Sequence, residues 1–140
     1  MGVSTNIPSI DEIISRLAPL FTNESLQLVL LFGSVASGKI HRHSDIDLAF
    51  LHETPQDGLE LTNRVVRLLR TDKVDVVDLR LASPLLKMSV VRTGRLLYEC
   101  SPGLYHRFCS LYFREYADSK KFRDAQMLTI KRFIEKQEGL

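Results

Sequence analysis

The sequence predicts an α/β fold: a small mixed β-sheet with helices packed mainly on one face, followed by a C-terminal helical tail. Short apolar, partly β-branched runs alternate with segments of helical periodicity through the first hundred residues, which is the pattern of an α/β domain. With 140 residues, 44% of them hydrophobic, the chain is long enough to bury the core of one domain. Neither an internal repeat nor a low-complexity segment argues for another architecture.

The first elements are predicted to be one helix and two strands. Ser9 and Glu12 have the spacing of a capping box, and apolar residues recur at helical spacing from there to Phe21. Residues 26–32 are a short apolar run bounded by turn formers, which is typical of a buried strand. Residues 45–51 have the pattern of a second strand.

The alternation continues to residue 98. The next predicted elements are a surface loop, a helix and a strand, in residues 51–58, 61–69 and 73–79. Ser83 followed by Pro84 starts another helix, because Pro is favoured at the first helical position, and Gly94 ends it. The inner face of this helix is predicted to carry Leu85, Met88 and Val91. Residues 95–98 then form a short edge strand.

The segment from Pro102 onward is predicted to be a long helix that is broken near Ser119. Its apolar residues up to Tyr112 have helical spacing and are expected to join the core. The later ones exceed what a small sheet covers and are better candidates for a partner surface; they are Phe122, Ile130, Phe133 and Ile134. The lysines and arginines between them form either a solvated face or a contact with an acidic partner. We therefore expect a core in residues 1–100 and, in residues 101–140, a helical extension packed on it and available to a partner.

The first candidate site residues come directly after the first strand. Gly33 breaks that strand, and unpaired backbone N–H groups at such a break, together with the dipole of a following helix, can form an anion site. Ser34 adds a hydroxyl donor. Gly-Ser alone is a common turn, so its assignment as a phosphate-binding turn depends on the residues that follow.

Two carboxylates stand at the head of the second strand. Asp45 and Asp47 are two residues apart, and side chains alternate along a strand, so both project to one face. Close carboxylates repel each other unless a cation lies between them, and Mg²⁺ prefers such hard oxygen ligands. In a two-ion arrangement one metal activates the attacking hydroxyl and the other holds the phosphates and the leaving group. The sequence therefore predicts a nucleotidyltransferase site with Mg²⁺ as its cofactor.

A third carboxylate is expected from the strand in residues 73–79. Asp75 and Asp78 are three residues apart, so on a regular strand only one of them faces the metal pair. We choose Asp75, because its mid-strand position between valines makes it the costlier of the two to bury without a cation. Asp78 lies near the strand end, where solvent or Arg80 can reach it.

The combination of Gly33 and Ser34, ten intervening residues, Asp45-x-Asp47 and a later strand aspartate resembles the minimal nucleotidyltransferase (MNT) family of the polymerase-β-like superfamily. The resemblance covers residues 26–99 and implies the nucleotidyltransferase fold. Residues 74–99 are especially similar to the MntA antitoxins of HEPN/MNT toxin–antitoxin systems.

This resemblance implies a protein adenylyltransferase that uses ATP as its substrate and moves AMP onto a tyrosine of a cognate HEPN-domain ribonuclease toxin, which silences the toxin. The family often has Arg where this chain has Ser37, so a usual phosphate contact is either missing or supplied by Lys39 or Arg42. The expected catalytic and metal-binding residues are Asp45, Asp47 and Asp75, and the expected phosphate-binding residues are Gly33, Ser34, Lys39 and Arg42.

Three functional classes compete. The first is the adenylyltransferase, which the three retained aspartates favour, because a carboxylate cluster without a metal costs stability. The second is a binding protein that masks the toxin stoichiometrically. The third, transfer to a small molecule such as an aminoglycoside, is weaker, because such enzymes generally add a second domain for which this chain has little length.

Other features limit the partners. A net charge of +2 without a basic stripe argues against nucleic acid, and the longest apolar run is far short of a membrane span. Cys100 and Cys109 have the spacing to pair, but without a signal peptide they are expected to be reduced thiols of a cytoplasmic protein. His41 and His43 are two apart, as in some metal pairs, but no further ligand follows at zinc spacing, so loop positions are favoured.

Overall fold

The computed structural model describes residues 7–38 and 45–138, and its centre is a four-stranded mixed sheet. The strands are β1 (Leu26–Phe32), β2 (Ile46–His52), β3 (Val74–Asp78) and β4 (Arg95–Glu99). Their order is β3-β2-β1-β4, with β1 antiparallel to β2 and β4, and β2 parallel to β3. The predicted mixed sheet is confirmed, including β4 as an edge strand.

Six α-helices accompany the sheet in the described residues. They are α1 (Ile10–Leu17), α2 (Gly33–Ser37), α3 (Gly58–Leu69), α4 (Pro84–Thr93), α5 (Leu104–Asp118) and α6 (Lys120–Glu138). The predicted starts of α1 and α4 are confirmed, because Ser9 Oγ accepts a hydrogen bond from the Glu12 amide and Ser83 Oγ accepts one from the Leu86 amide. The first helix is shorter than expected: at Pro19, which lacks an amide hydrogen, the chain continues as a 3₁₀ turn.

The core lies on both faces of the sheet. On one face α1 and α3 cover the larger apolar cluster, which includes Ile13, Leu48, Phe50 and Val65. On the other face α4 and α5 pack over β1 and β4 around a smaller cluster. The expected α/β fold is therefore confirmed. Helices cover both faces, and not mainly one face as predicted, and those on the second face leave the outer part of β2 and β3 for the site.

Gly94 ends α4 as the sequence predicts, but for a different physical reason. Its backbone is extended, with φ −75°, so the left-handed conformation that usually selects glycine after a helix is not needed. A Cβ atom at this position would instead collide with the carbonyl oxygen of Val90. The absence of a side chain lets the chain turn tightly from α4 into β4 beside β1.

The C-terminal segment is helical and interrupted at Ser119, as predicted. Helix α5 packs through Leu104 and Phe108 onto the smaller cluster, and Tyr112 is buried. Helix α6 has no buried residue, and its large apolar side chains are exposed. None of the described helices is both long enough and apolar enough to cross a membrane.

His52, at the end of β2, is a buried histidine whose charge is disfavoured. Its side chain is only 5% exposed and stacks on Phe50, with ring centroids 6.0 Å apart. Burial lowers the pKa of His52 below its ordinary value of 6.5, and the nearby Asp78 carboxylate opposes this shift only in part.

The folded state should therefore lose stability as the pH falls below about 6.5, because the unfolded chain binds a proton there that buried His52 rejects. One such group changes the unfolding free energy by at most about 1.4 kcal/mol per pH unit. Thermal unfolding between neutral pH and pH 5 should show a smaller loss for His52→Gln than for the wild type. His106→Gln, at an exposed histidine, is the control and should retain the wild-type slope. Equal slopes for all three proteins would contradict this assignment.

Candidate active site

The turn from β1 into α2 brings the backbone against a carboxylate. Gly33 begins α2 with φ +76°, a left-handed conformation that glycine adopts without strain. A Cβ atom on Gly33 would collide with Oδ2 of Asp47 and would lie 3.2 Å from Asp47 Cγ. Glycine is thus required here twice, for the backbone angle and for the close approach of Asp47.

Asp47 is the central carboxylate of the candidate site. It lies on β2 directly opposite Phe32, the last residue of β1, and is half-buried, whereas Asp45 immediately precedes β2 and is exposed. Burial raises the pKa of Asp47 above its ordinary value of 3.8, and the negative charges of Asp75 and Asp45 raise it further. The fold therefore holds the Asp47 carboxylate beside two like charges that oppose its ionisation.

The strand register separates the two downstream aspartates. Asp75 pairs with Asp47 across the parallel β2–β3 ladder, so the two side chains lie next to each other on the same face. Asp78 pairs with Phe50, three residues further along β2, on the face that carries the larger cluster. The register places Asp75, and not Asp78, beside Asp47; the role of Asp75 at a metal site stays a prediction.

The reason given for choosing Asp75 is wrong. We expected Asp75 to be the more buried aspartate, but Asp75 is exposed and Asp78 is half-buried. Asp78 Oδ1 accepts a hydrogen bond from the backbone amide of Arg80 at 2.9 Å, so the turn after β3 satisfies this carboxylate. Asp75 is exposed because β3 is an edge strand and neither α4 nor α5 packs over this part of the sheet.

The residues fit a magnesium ion. Asp47 and its two acidic neighbours supply hard oxygen donors, and in the described part of the chain none of the three forms an ion pair. Within residues 7–38 and 45–138, no group of three acidic, histidine or cysteine side chains could by itself hold a metal ion. Mg²⁺ does not need such a group, because it commonly takes one or two protein carboxylates and completes its shell with water and substrate phosphates.

Several predicted site residues lie outside the described residues. These are Lys39, Arg42 and the histidine pair His41 and His43. Ser37 closes α2, and only its backbone is described. Phosphate contacts by Gly33, Ser34, Lys39 and Arg42 therefore stay predictions.

Sequence reasoning missed an apolar groove between the start of α4 and α6. Leu85 was predicted to face inward but is 62% exposed, and it lines a groove of about 630 Å³ together with Phe122, Met127 and Ile130. Arg123 also lines this groove. The surplus of apolar residues in α6 was the one sequence feature that pointed to this groove. That α4 forms its other wall can be seen only in the three-dimensional structure.

Comparison with known families agrees with this geometry. A family model described as polymerase beta, nucleotidyltransferase, matches residues 15–102, which include the whole sheet and all three aspartates. Among characterised relatives, the protein adenylyltransferase MntA of Aphanizomenon flos-aquae is 27% identical over 143 residues, covering 93% of this chain and 95% of the relative. The protein adenylyltransferase MntA of Shewanella oneidensis is 45% identical over 76 residues, covering 52% and 54%.

Two solved structures are similar over most of the chain. A crystal structure described as a toxin–antitoxin with AMP-PNP contains a chain 33% identical to this one, with a TM-score of 0.63 and coverage of 86% and 99%. A complex of a tri-AMPylated Shewanella oneidensis HEPN toxin with an MNT antitoxin matches at 31% identity and a TM-score of 0.56, covering 84% and 95%. The matched family model, the strand register and the carboxylate cluster lead to one conclusion: the chain belongs to the polymerase beta nucleotidyltransferase family.

Proposed function

We propose that this protein is a Mg²⁺-dependent adenylyltransferase that transfers AMP from ATP to a tyrosine hydroxyl of a cognate HEPN ribonuclease toxin and thereby neutralises the toxin. The observation that carries the proposal is the placement of Asp47 and Asp75 side by side, with Asp45 near them, against the Gly33 turn. The relatives named protein adenylyltransferase and the complex with an AMPylated HEPN toxin support the choice of nucleotide and acceptor.

Each residue has a defined role in the proposed reaction. Asp45 and Asp47 hold Mg²⁺, and bound Mg²⁺ would activate the attacking hydroxyl and neutralise charge on the phosphates. Gly33 and Ser34 seat the β- and γ-phosphates, with Lys39 and Arg42 as the proposed cationic contacts. Asp75 orients the acceptor hydroxyl and accepts its proton. The acceptor oxygen bonds to the α-phosphorus as the bond to the departing pyrophosphate breaks.

The C-terminal extension favours a second candidate function. Helix α6 exposes large apolar side chains that nothing in the described chain covers, so residues 101–140 are suited to hold a partner. On this view the protein is an antitoxin that masks the toxin by stoichiometric binding, without chemistry. Cys100 and Cys109 are free thiols, which supports the proposal that either activity occurs in the cytoplasm.

The direct test of transfer is the intact mass of the purified toxin after incubation with ATP, Mg²⁺ and one tenth as much of this protein. We expect most toxin molecules to gain one or more AMP units, because each protein molecule turns over repeatedly. Peptide mapping should place the added mass on tyrosine. An unchanged toxin mass would contradict the proposed transfer.

Asp45→Asn combined with Asp47→Asn should lower the transfer rate by several orders of magnitude, because both proposed metal ligands lose their charge. In metal-free buffer at neutral pH the same variant should melt at a temperature at or above that of the wild type. The raised pKa of Asp47 means that its ionised form is destabilising at neutral pH, a penalty that disappears when the group is neutral. A double variant that labels the toxin at a near wild-type rate would contradict the metal assignment.

Asp75→Ala should abolish transfer and leave ATP binding almost unchanged, because Asp75 acts on the acceptor side and the phosphates are held elsewhere. Asp78→Ala should retain transfer but lose about 1 kcal/mol of stability, because the Arg80 amide loses its acceptor. Toxin labelling, calorimetric titration with a non-hydrolysable ATP analogue and thermal unfolding separate these effects. The reverse ranking of the two variants in the labelling assay would mean that the third carboxylate is Asp78.

A further inference from the structure

The apolar residues of α6 are concentrated on one side of the helix. At 100° per residue, Phe122, Ile130 and Phe133 lie close together around the axis, and Met127 and Ile134 adjoin them. Ile130 is 51% exposed and Phe122 is 67% exposed. A mostly apolar side, interrupted by Gln126 and Arg123, on a helix without a buried residue has the form of a docking surface.

Helix α4 supplies the opposite wall. Leu85, in the first turn of α4, faces the groove across from Phe122 and Met127. The other end of α4 reaches the active site, because a Cβ atom on Gly94 would lie 3.7 Å from the carbonyl oxygen of Leu31, near the end of β1. The groove is therefore about one ten-residue helix, roughly 15 Å, from the phosphate turn. A partner protein bound in this groove would therefore contact it through a surface away from the hydroxyl that reacts.

Arg123 fixes the direction of α6 relative to α5. Its Nη2 donates to the carbonyl oxygen of Tyr116 at 2.7 Å, its Nε donates to Ser119 Oγ at 3.0 Å, and its guanidinium carbon lies 3.6 Å from the Tyr116 ring centroid. These contacts span the interruption between the two helices. They keep the exposed apolar side of α6 turned toward the start of α4.

The groove is lined by one cation, Arg123, and one carboxylate, Asp124, on a helix that is positively charged overall. The hydrogen bonds and the ring contact of Arg123 are to neutral groups: a carbonyl, a hydroxyl and an aromatic ring. Its charge also contributes, after Lys120, to lowering the pKa of the Asp124 carboxylate. In the described part of the chain no carboxylate forms an ion pair with Arg123, and the adjacent Asp124 is engaged with Lys120 at 2.9 Å. Along α6 as a whole, six lysines and arginines stand against three acidic residues. A second copy of this helix would bring the same positive charge and is disfavoured.

We propose that the groove between α4 and α6 binds an amphipathic helix of the acceptor protein, with apolar side chains packed against Ile130, Met127 and Leu85 and an acidic side chain paired with Arg123. The proposal rests on the proposed function, since the acceptor is the toxin that the active site modifies. The groove supplies affinity for the acceptor, and the carboxylates supply the chemistry.

Kinetics of toxin labelling test the apolar part. Ile130→Glu should raise the KM for the toxin by about tenfold or more, with the KM for ATP and the melting temperature unchanged. Leu128→Glu is the matched control, because Leu128 is 48% exposed but lies about 160° further round the helix. Its toxin KM should stay within about twofold of the wild type. Equal effects of the two substitutions, or none from Ile130→Glu, would overturn the proposal.

The charge is tested in the same assay. Arg123→Gln should raise the toxin KM and flatten its dependence on salt, because the ion pair with the acceptor is lost. Arg132→Gln, at an exposed arginine of the same helix, should change neither. An equal response to both would mean that only the overall charge of α6 matters, and the Arg123 pairing would be wrong.

Direct binding separates this proposal from the proposed function. Calorimetric titration of the toxin into the Asp45→Asn, Asp47→Asn protein should show binding that a further Ile130→Glu change weakens by about tenfold or more. If this binding pattern is seen but the wild type transfers no AMP, the docking groove is supported and the proposed adenylyltransferase activity is contradicted. The absence of any toxin binding would contradict the proposal that the groove binds the toxin. A wild-type dimer that Ile130→Glu dissociates without changing toxin binding would assign the groove to a second copy of this chain.

Discussion

The parallel pairing of β2 with β3 is the constraint on which the site depends. It sets Asp75 level with Asp47, and the antiparallel pairing of β2 with β1 sets Asp47 level with the last residue before Gly33. A shift of either register by one residue would move a carboxylate to the opposite face, into the larger apolar cluster. The buried side chains of β1 and β2 on both faces hold these registers, because nearly every residue of the two strands packs into one cluster or the other.

The same pairing makes the site costly to fold. Burial and two neighbouring negative charges oppose the ionisation of Asp47, whose carboxylate occupies the space that a Cβ atom on Gly33 would take. Local destabilisation of this kind is common where a protein binds a cation and charged phosphates, because the ligand relieves it. Burial of apolar side chains in the two core clusters offsets the free energy that the carboxylate cluster costs.

Local sequence patterns were sufficient for most of the fold. The bounds of β1, the helix caps at Ser9 and Ser83, and the break at Ser119 all depend on residues within one turn or strand. The errors came from tertiary packing. The exposure of Asp75 follows from its edge strand, and the exposure of Leu85 follows from its place on the wall of the groove between α4 and α6. The burial of His52, for which the sequence made no prediction, likewise depends on tertiary packing. Periodicity within one element carries no information about which neighbour covers it.

The measurement that tests the central claim most directly is a titration of toxin ribonuclease activity against this protein at ratios from one hundredth to equimolar, with and without ATP. The account predicts that, with ATP and Mg²⁺, substoichiometric protein silences the toxin fully over time and that protection persists after the protein is removed. Without ATP, or with the Asp45→Asn, Asp47→Asn protein, such catalytic silencing should be absent. Full protection by that double variant at a one-to-one ratio without ATP, together with no gain from ATP for the wild type, would contradict the enzymatic account and establish masking in its place.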